Sequence, residues 1–193
     1  MTSAVPVWLP NAITAVRIAL IPVFVLWANA ANDTAAMGGD PGRERVYALT
    51  TLIVLAFSDV VDGFLARKFG LSTPLGALLD AVADKLAQMT LLVFFGFFPG
   101  PAFAPIPVWF VVLVFARDAV LAAGWLVVRS IRGKVDAEHE IHGKLASVCI
   151  FAILFAITAD VIGDHVPLAI AVTATIVVAS TLRYVYCGWA QTR

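Results

Sequence analysis

Four aspartates interrupt stretches that otherwise read as bilayer-spanning helix. Asp59, Asp62, Asp80 and Asp84 all lie in long apolar runs. A carboxylate at mid-membrane costs roughly 2.5–3.5 kcal/mol on insertion scales, and ionisable groups at such depth are functional by default. Their spacing places them on two helix faces. Asp59, Asp62, Gly63 and Ala66 follow i, i+3, i+4, i+7, and Gly76, Asp80 and Asp84 follow i, i+4, i+8, each a single face at the helical period. Asp59 precedes an expected helix end near residue 69 by ten residues, roughly 15 Å at the helical rise. Asp84 follows the next helix start by nine or ten residues, roughly 14 Å. An antiparallel hairpin would therefore bring the four carboxylates to similar levels.

An all-oxygen set suits a hard cation such as Mg²⁺, Mn²⁺ or Ca²⁺ rather than zinc or copper. Four carboxylates can hold two such ions, the arrangement used for in-line displacement at phosphorus. Gly63, Ala66 and Gly76 leave room beside the acids for a bulky ligand, and Arg67 at the edge can bind phosphate oxygens. The competing reading is a set of buried ion pairs with Lys85 and Arg117. Two cations do not balance five acids once Asp118 is counted, and unpaired buried charge is costly.

The elements that must position these residues follow from composition. The chain has 193 residues, is 61% hydrophobic and 13% charged, against about a quarter charged in soluble domains. A formal net charge of zero argues against nucleic acid as a partner. Six spans are expected, near 13–30, 46–69, 75–98, 106–128, 144–161 and 167–187, forming one all-α integral-membrane domain over 1–193. Arg17 with the apolar run 18–27 and Ala28-Asn29-Ala30 imitates a signal peptide, but the segment is long enough to be a first span. Turn residues at Gly38-Gly39-Asp40-Pro41-Gly42, at Pro99-Gly100-Pro101 and at Gly163-Asp164-His165 punctuate the runs. Gly70 can end the second helix, and Ser72 or Thr73 can cap a third that starts at or near Pro74. Cys149 and Cys187 read as small buried hydrophobes.

Lys and Arg in the short loops set the orientation. Arg67, Lys68, Arg129, Arg132, Lys134, Lys144, Arg183 and Arg193 fall on one side, against Arg43 and Arg45 on the other. The termini and the turn between spans two and three are therefore expected in the cytoplasm.

The stretch Asp59-x2-Asp62-Gly63-x2-Ala66-Arg67-x8-Gly76-x3-Asp80-x3-Asp84 resembles the signature of the CDP-alcohol phosphotransferase family at every fixed position, and the six-span plan extends the resemblance to nearly the whole chain. The resemblance implies six transmembrane helices around a polar cavity open to the cytoplasm, usually in a homodimer. It implies metal on Asp59, Asp62 and Asp80, with Asp84 close to metal and acting as general base. It implies that Gly63, Ala66, Arg67 and Gly76 face the cytidine nucleotide of CDP-diacylglycerol, with CMP as leaving group and an alcohol as acceptor.

Acceptor choice rests on less. Pro10-Asn11-x2-Thr14-x2-Arg17 is similar to the start of phosphatidylglycerolphosphate synthases and of eukaryotic-type cardiolipin synthases. Asn11, Thr14 and Arg17 share a helix face, which either borders the nucleotide site or anchors the helix at the membrane surface. Arg117 lies about eleven residues from the cytoplasmic end of span four, roughly 16 Å deep, where it either binds an acceptor phosphate or pairs with an acid. Arg117-Asp118 is similar to cardiolipin synthases, whereas glycerol-phosphate enzymes usually carry Arg-Glu. Ala81 stands where both groups commonly have proline. Lys144, in His142-Gly143-Lys144, either assists the acceptor or anchors to headgroups. His139-Glu140-Ile141-His142 is one residue short of a zinc-protease motif. The favoured acceptor is sn-glycerol 3-phosphate, then phosphatidylglycerol, then inositol phosphate. Membrane carboxylates also serve cation transporters, but no internal repeat is present and the acids stand toward one leaflet.

The orientation is testable in intact cells. A cysteine replacing Ser72, with Cys149 and Cys187 made silent, should resist impermeant thiol reagents until lysis. Labelling of intact cells would reverse the topology.

Overall fold

The computed structural model describes residues 9–69, 74–132 and 140–191. Among them are six α-helices and no strand: α1 (Leu9–Ala36), α2 (Gly42–Phe69), α3 (Pro74–Phe97), α4 (Val108–Arg132), α5 (Glu140–Thr158) and α6 (Val166–Gln191). The one 3₁₀ turn among them, Gly163–His165, leads into α6. The expected all-helical class and six elements are present, with several helices longer than the apolar runs. Two of the described segments, Thr14–Ala36 and Gly163–Cys187, have both the length and the mean apolar character of a membrane span. The four aspartates lie in α2 and α3, Arg17 in α1 and Arg117 in α4.

Local chemistry explains the ends. The expected loop at 31–45 shrinks to five residues because α1 continues through an alanine-rich tail to Ala36. It closes by a Schellman motif, with Gly39 N–H donating to Thr34 C=O (2.9 Å) and Gly38 N–H to Ala35 C=O (3.0 Å). Gly38 takes the left-handed conformation, φ 79°, open to glycine without penalty. Asp40 Oδ1 then accepts from Gly42 N–H (2.9 Å) at the start of α2. Helix α5 closes in the same way, with Val161 N–H donating to Ala156 C=O (3.1 Å) and Asp160 N–H to Ile157 C=O (3.1 Å). Here Asp160 holds the left-handed position, φ 56°. Pro74 begins α3 as expected, while the Gly70, Ser72 and Thr73 expectations lie outside the described residues. Cys149 and Cys187 are free thiols, half-buried rather than fully buried.

The helices divide into two compact units, Met1–Phe103 and Ala104–Arg193. In the first, α1 packs along α2 and against α3. Ala28, Ala31, Ala48, Ala83 and Ala87 are fully buried, and small residues of this kind let helix backbones approach closely. Phe24 from α1 meets Phe94 and Phe95 from α3 edge to face, both at 6.2 Å between ring centroids. Phe103 closes the cluster against Phe95 at 5.5 Å. The segment after α3 is fastened to this core: Arg45 donates to the Ala102 carbonyl and lies over the Phe103 ring. In the second unit α6 packs against α4 and α5, and Tyr184 Oη donates to the Leu121 carbonyl (3.2 Å).

Asn32 ties the end of α1 to the loop after α3. Its Oδ1 accepts from Ala102 N–H (3.1 Å) and its Nδ2 donates to the Phe98 carbonyl (3.4 Å). Gly100 lies against it at φ 58°, and a Cβ there would fall 2.3–2.5 Å from the Asn32 side chain. Gly100→Ala should therefore cost about 1–3 kcal/mol, combining left-handed strain with displaced hydrogen bonds. The unfolding midpoint in detergent measures this. The loss should be smaller in an Asn32→Ala background, and an equal loss there would show that the clash is not its source.

Candidate active site

Helix α3 carries the best-described part of the site. Gly76, Asp80, Asp84 and Gln88 succeed one another every four residues, each about 6 Å further along the axis. Asp80 and Asp84 are half-buried and Gln88 is buried. Lys85 Nζ donates to Gln88 Oε1 (2.9 Å). The Gln88 Nε2 amide is buried with no hydrogen-bond partner among the described residues.

The first helix supplies the cation. Arg17 Nη1 donates to Asp80 Oδ1 in an ion pair that joins α1 to α3. The Arg17 side chain is 0% exposed, whereas 34% of the Asp80 side chain remains accessible. Thr14, one turn before Arg17, is also buried. Burial of both runs against their serving as a membrane-surface anchor, since an anchor keeps its polar end in contact with water.

Asp59, Asp62, Gly63, Ala66 and Arg67 lie on the continuous backbone of α2. Their side chains, with those of Asn11 and Lys144, fall outside the described residues, as does the His139 position. Among the described residues no group of three or more His, Cys, Asp or Glu could hold a metal ion. The pair on α3 nevertheless fits a hard divalent cation in its chemistry. Two carboxylates stand one turn apart with accessible surface, and Arg17 engages Asp80 at Oδ1.

Arg117 belongs to the second unit. It is 5% exposed, and its Nη1 donates to Asp118 Oδ1 (3.0 Å) and to Ser147 Oγ on α5 (3.5 Å). It thus has the acid partner that one of its two readings required. An open groove of about 780 Å³ between α4 and α6 is lined by Trp109, Val112, Leu113 and Leu182 among others. It has no ionisable residue in its lining and so offers nothing for phosphoryl chemistry.

Sequence places Arg17 on a polar face without naming its acid partner, although its depth in an apolar run signals the need for one, and it passes over Gln88. Gln88 continues the i+4 row by one step and could have been found by extending it.

Comparison with known proteins agrees with this arrangement. Residues 7–185 match the family model described as CDP-alcohol phosphatidyltransferase. The chain belongs to this family. It is a family of membrane proteins, consistent with the two apolar spans. A Bacillus subtilis CDP-diacylglycerol–glycerol-3-phosphate 3-phosphatidyltransferase is 33% identical over 140 residues, 71% of this chain and 69% of that protein. The Aquifex aeolicus protein of the same name is 28% identical over 148 residues, 77% of this chain and 74% of its own length. A Mycobacterium tuberculosis protein provisionally named as a cardiolipin synthase is 34% identical over 113 residues, 58% of this chain. That match spans slightly less than half of the mycobacterial protein, 46% of its length.

Proposed function

We propose that this family member transfers a phosphatidyl group from CDP-diacylglycerol to sn-glycerol 3-phosphate, releasing CMP. The observation that carries this reading is the family match across residues 7–185, which takes in all four aspartates. Two relatives that align over more than 70% of this chain bear the glycerol-3-phosphate name. Phosphatidylglycerol as acceptor is the second reading, favoured by the mycobacterial relative and by the Arg117-Asp118 pair.

In this reading Asp84 accepts the proton of the acceptor hydroxyl, whose oxygen attacks the phosphorus bearing diacylglycerol. A new P–O bond forms, the pyrophosphate P–O bond breaks, and the electron pair leaves with CMP. Asp59, Asp62 and Asp80, with Asp84 alongside, would hold one or two Mg²⁺ or Mn²⁺ ions, which supply charge neutralisation for the pyrophosphate and the departing phosphate. Gly63, Ala66 and Gly76 leave room for the nucleotide against the helix backbone, while Arg67, Asn11 and Thr14 supply polar contacts to it. Arg117 and Lys144 hold the acceptor. The chain forms one multi-pass domain with six spans around a cavity facing the cytoplasm, and it works as a homodimer.

CMP release by the purified protein, tested across glycerol 3-phosphate, phosphatidylglycerol and inositol phosphate, separates these acceptors. Turnover only with phosphatidylglycerol would replace the first reading by the second. Arg117→Lys keeps the charge but loses the bidentate fork. It should raise the acceptor KM about tenfold, roughly one lost hydrogen bond to a charged group, and leave the CDP-diacylglycerol KM nearly unchanged. An equal or larger rise in the donor KM would refute the acceptor role.

A further inference from the structure

We propose that Arg17 is a built-in counter-cation of Asp80 that competes with the divalent ion for that carboxylate and so weakens the metal affinity of the acid row. The inference rests on the reading of that row as a metal site. Three observations lead to it. Arg17 is fully enclosed, and it pairs with a carboxylate of the row itself. A guanidinium stays charged under all ordinary conditions, so its burial requires an anion beside it. Asp80, paired with Arg17, keeps a side chain that is 34% exposed, so the residue is engaged by the protein yet still reachable from outside it.

A cation bound to that same carboxylate lies within a carboxylate's width of a fixed positive charge. Repulsion at so short a range is strong where water is largely excluded. Arg17 therefore lets the acids be buried without metal and, for the same reason, opposes metal entry. A polyanionic ligand removes the opposition, because the charges of a nucleotide pyrophosphate offset both cations at once. Metal loading thereby becomes coupled to the arrival of the pyrophosphate donor. This role differs from positioning: a residue that merely held Asp80 in its rotamer would strengthen metal binding.

The test uses the full chain in detergent, titrated with Mn²⁺ alone while free Mn²⁺ is followed by electron paramagnetic resonance. Arg17→Gln should bind Mn²⁺ at least tenfold more tightly than the wild type, whereas Arg17→Lys, which keeps the charge, should stay within about threefold. Unchanged or weaker binding by Arg17→Gln would overturn the proposal, as would a tenfold change in Arg17→Lys. If Arg17→Gln does not fold, Arg17→Met, which also removes the charge but keeps an apolar stem in the enclosed site, takes its place. It must bind Mn²⁺ at least tenfold more tightly than the wild type, and equal or weaker binding overturns the proposal. Absence of Mn²⁺ binding in the wild type and every variant would instead fail the metal-site reading and take this inference with it, a result distinct from binding that ignores Arg17.

Discussion

A buried charge needs an opposite charge, and in this protein the requirement is met between Arg17 on α1 and Asp80 on α3. The pair couples the fold to the site. It joins α1 to α3, and it is made from a residue of the acid row to which we assign the chemistry. Replacing such a pair by apolar residues is often neutral or stabilising, while removing one partner leaves an uncompensated charge. A pair of this kind is therefore weak as a source of stability and informative as a sign of function. Around it the unit is apolar, with Phe24, Phe94, Phe95 and Phe103 in mutual edge contacts, so the polar groups have a rigid frame.

The acid row follows from the same constraint. One turn of α3 separates Asp80 from Asp84, and one more separates Asp84 from Gln88, whose Nε2 has no partner among the described residues. Neighbouring carboxylates are held together more easily when cations lie beside them, and Arg17 supplies one such charge. Family membership gives this arrangement a chemical context, transfer of a phosphatidyl group.

Much of this was legible in the sequence because it is periodic. The six helices follow from run length and from turn residues such as Gly38 and Pro99-Gly100-Pro101, and the acid faces follow from steps of three and four. What was not legible depends on packing. Arg17 and Asp80 are 63 residues apart, and no local pattern states which acid a buried arginine on another helix will meet. Arg117 pairs with its immediate neighbour Asp118, an arrangement that helix periodicity disfavours, since adjacent side chains do not face each other. Gln88 was hidden because its surroundings are apolar. The helix ends moved because alanine-rich segments continue a helix until a left-handed residue closes it, as Gly38 does for α1 and Asp160 for α5.

We propose that the acid row performs metal-assisted transfer from CDP-diacylglycerol. CMP release by the purified protein, wild type against Asp80→Asn, with Mg²⁺ and with excess EDTA, tests this. The wild type should release CMP only with acceptor and divalent cation. Asp80→Asn should lose at least about a hundredfold in turnover, the scale of removing one group that stabilises transition-state charge, while still inserting and purifying. Near-normal turnover by Asp80→Asn, or full wild-type turnover in EDTA, would contradict it.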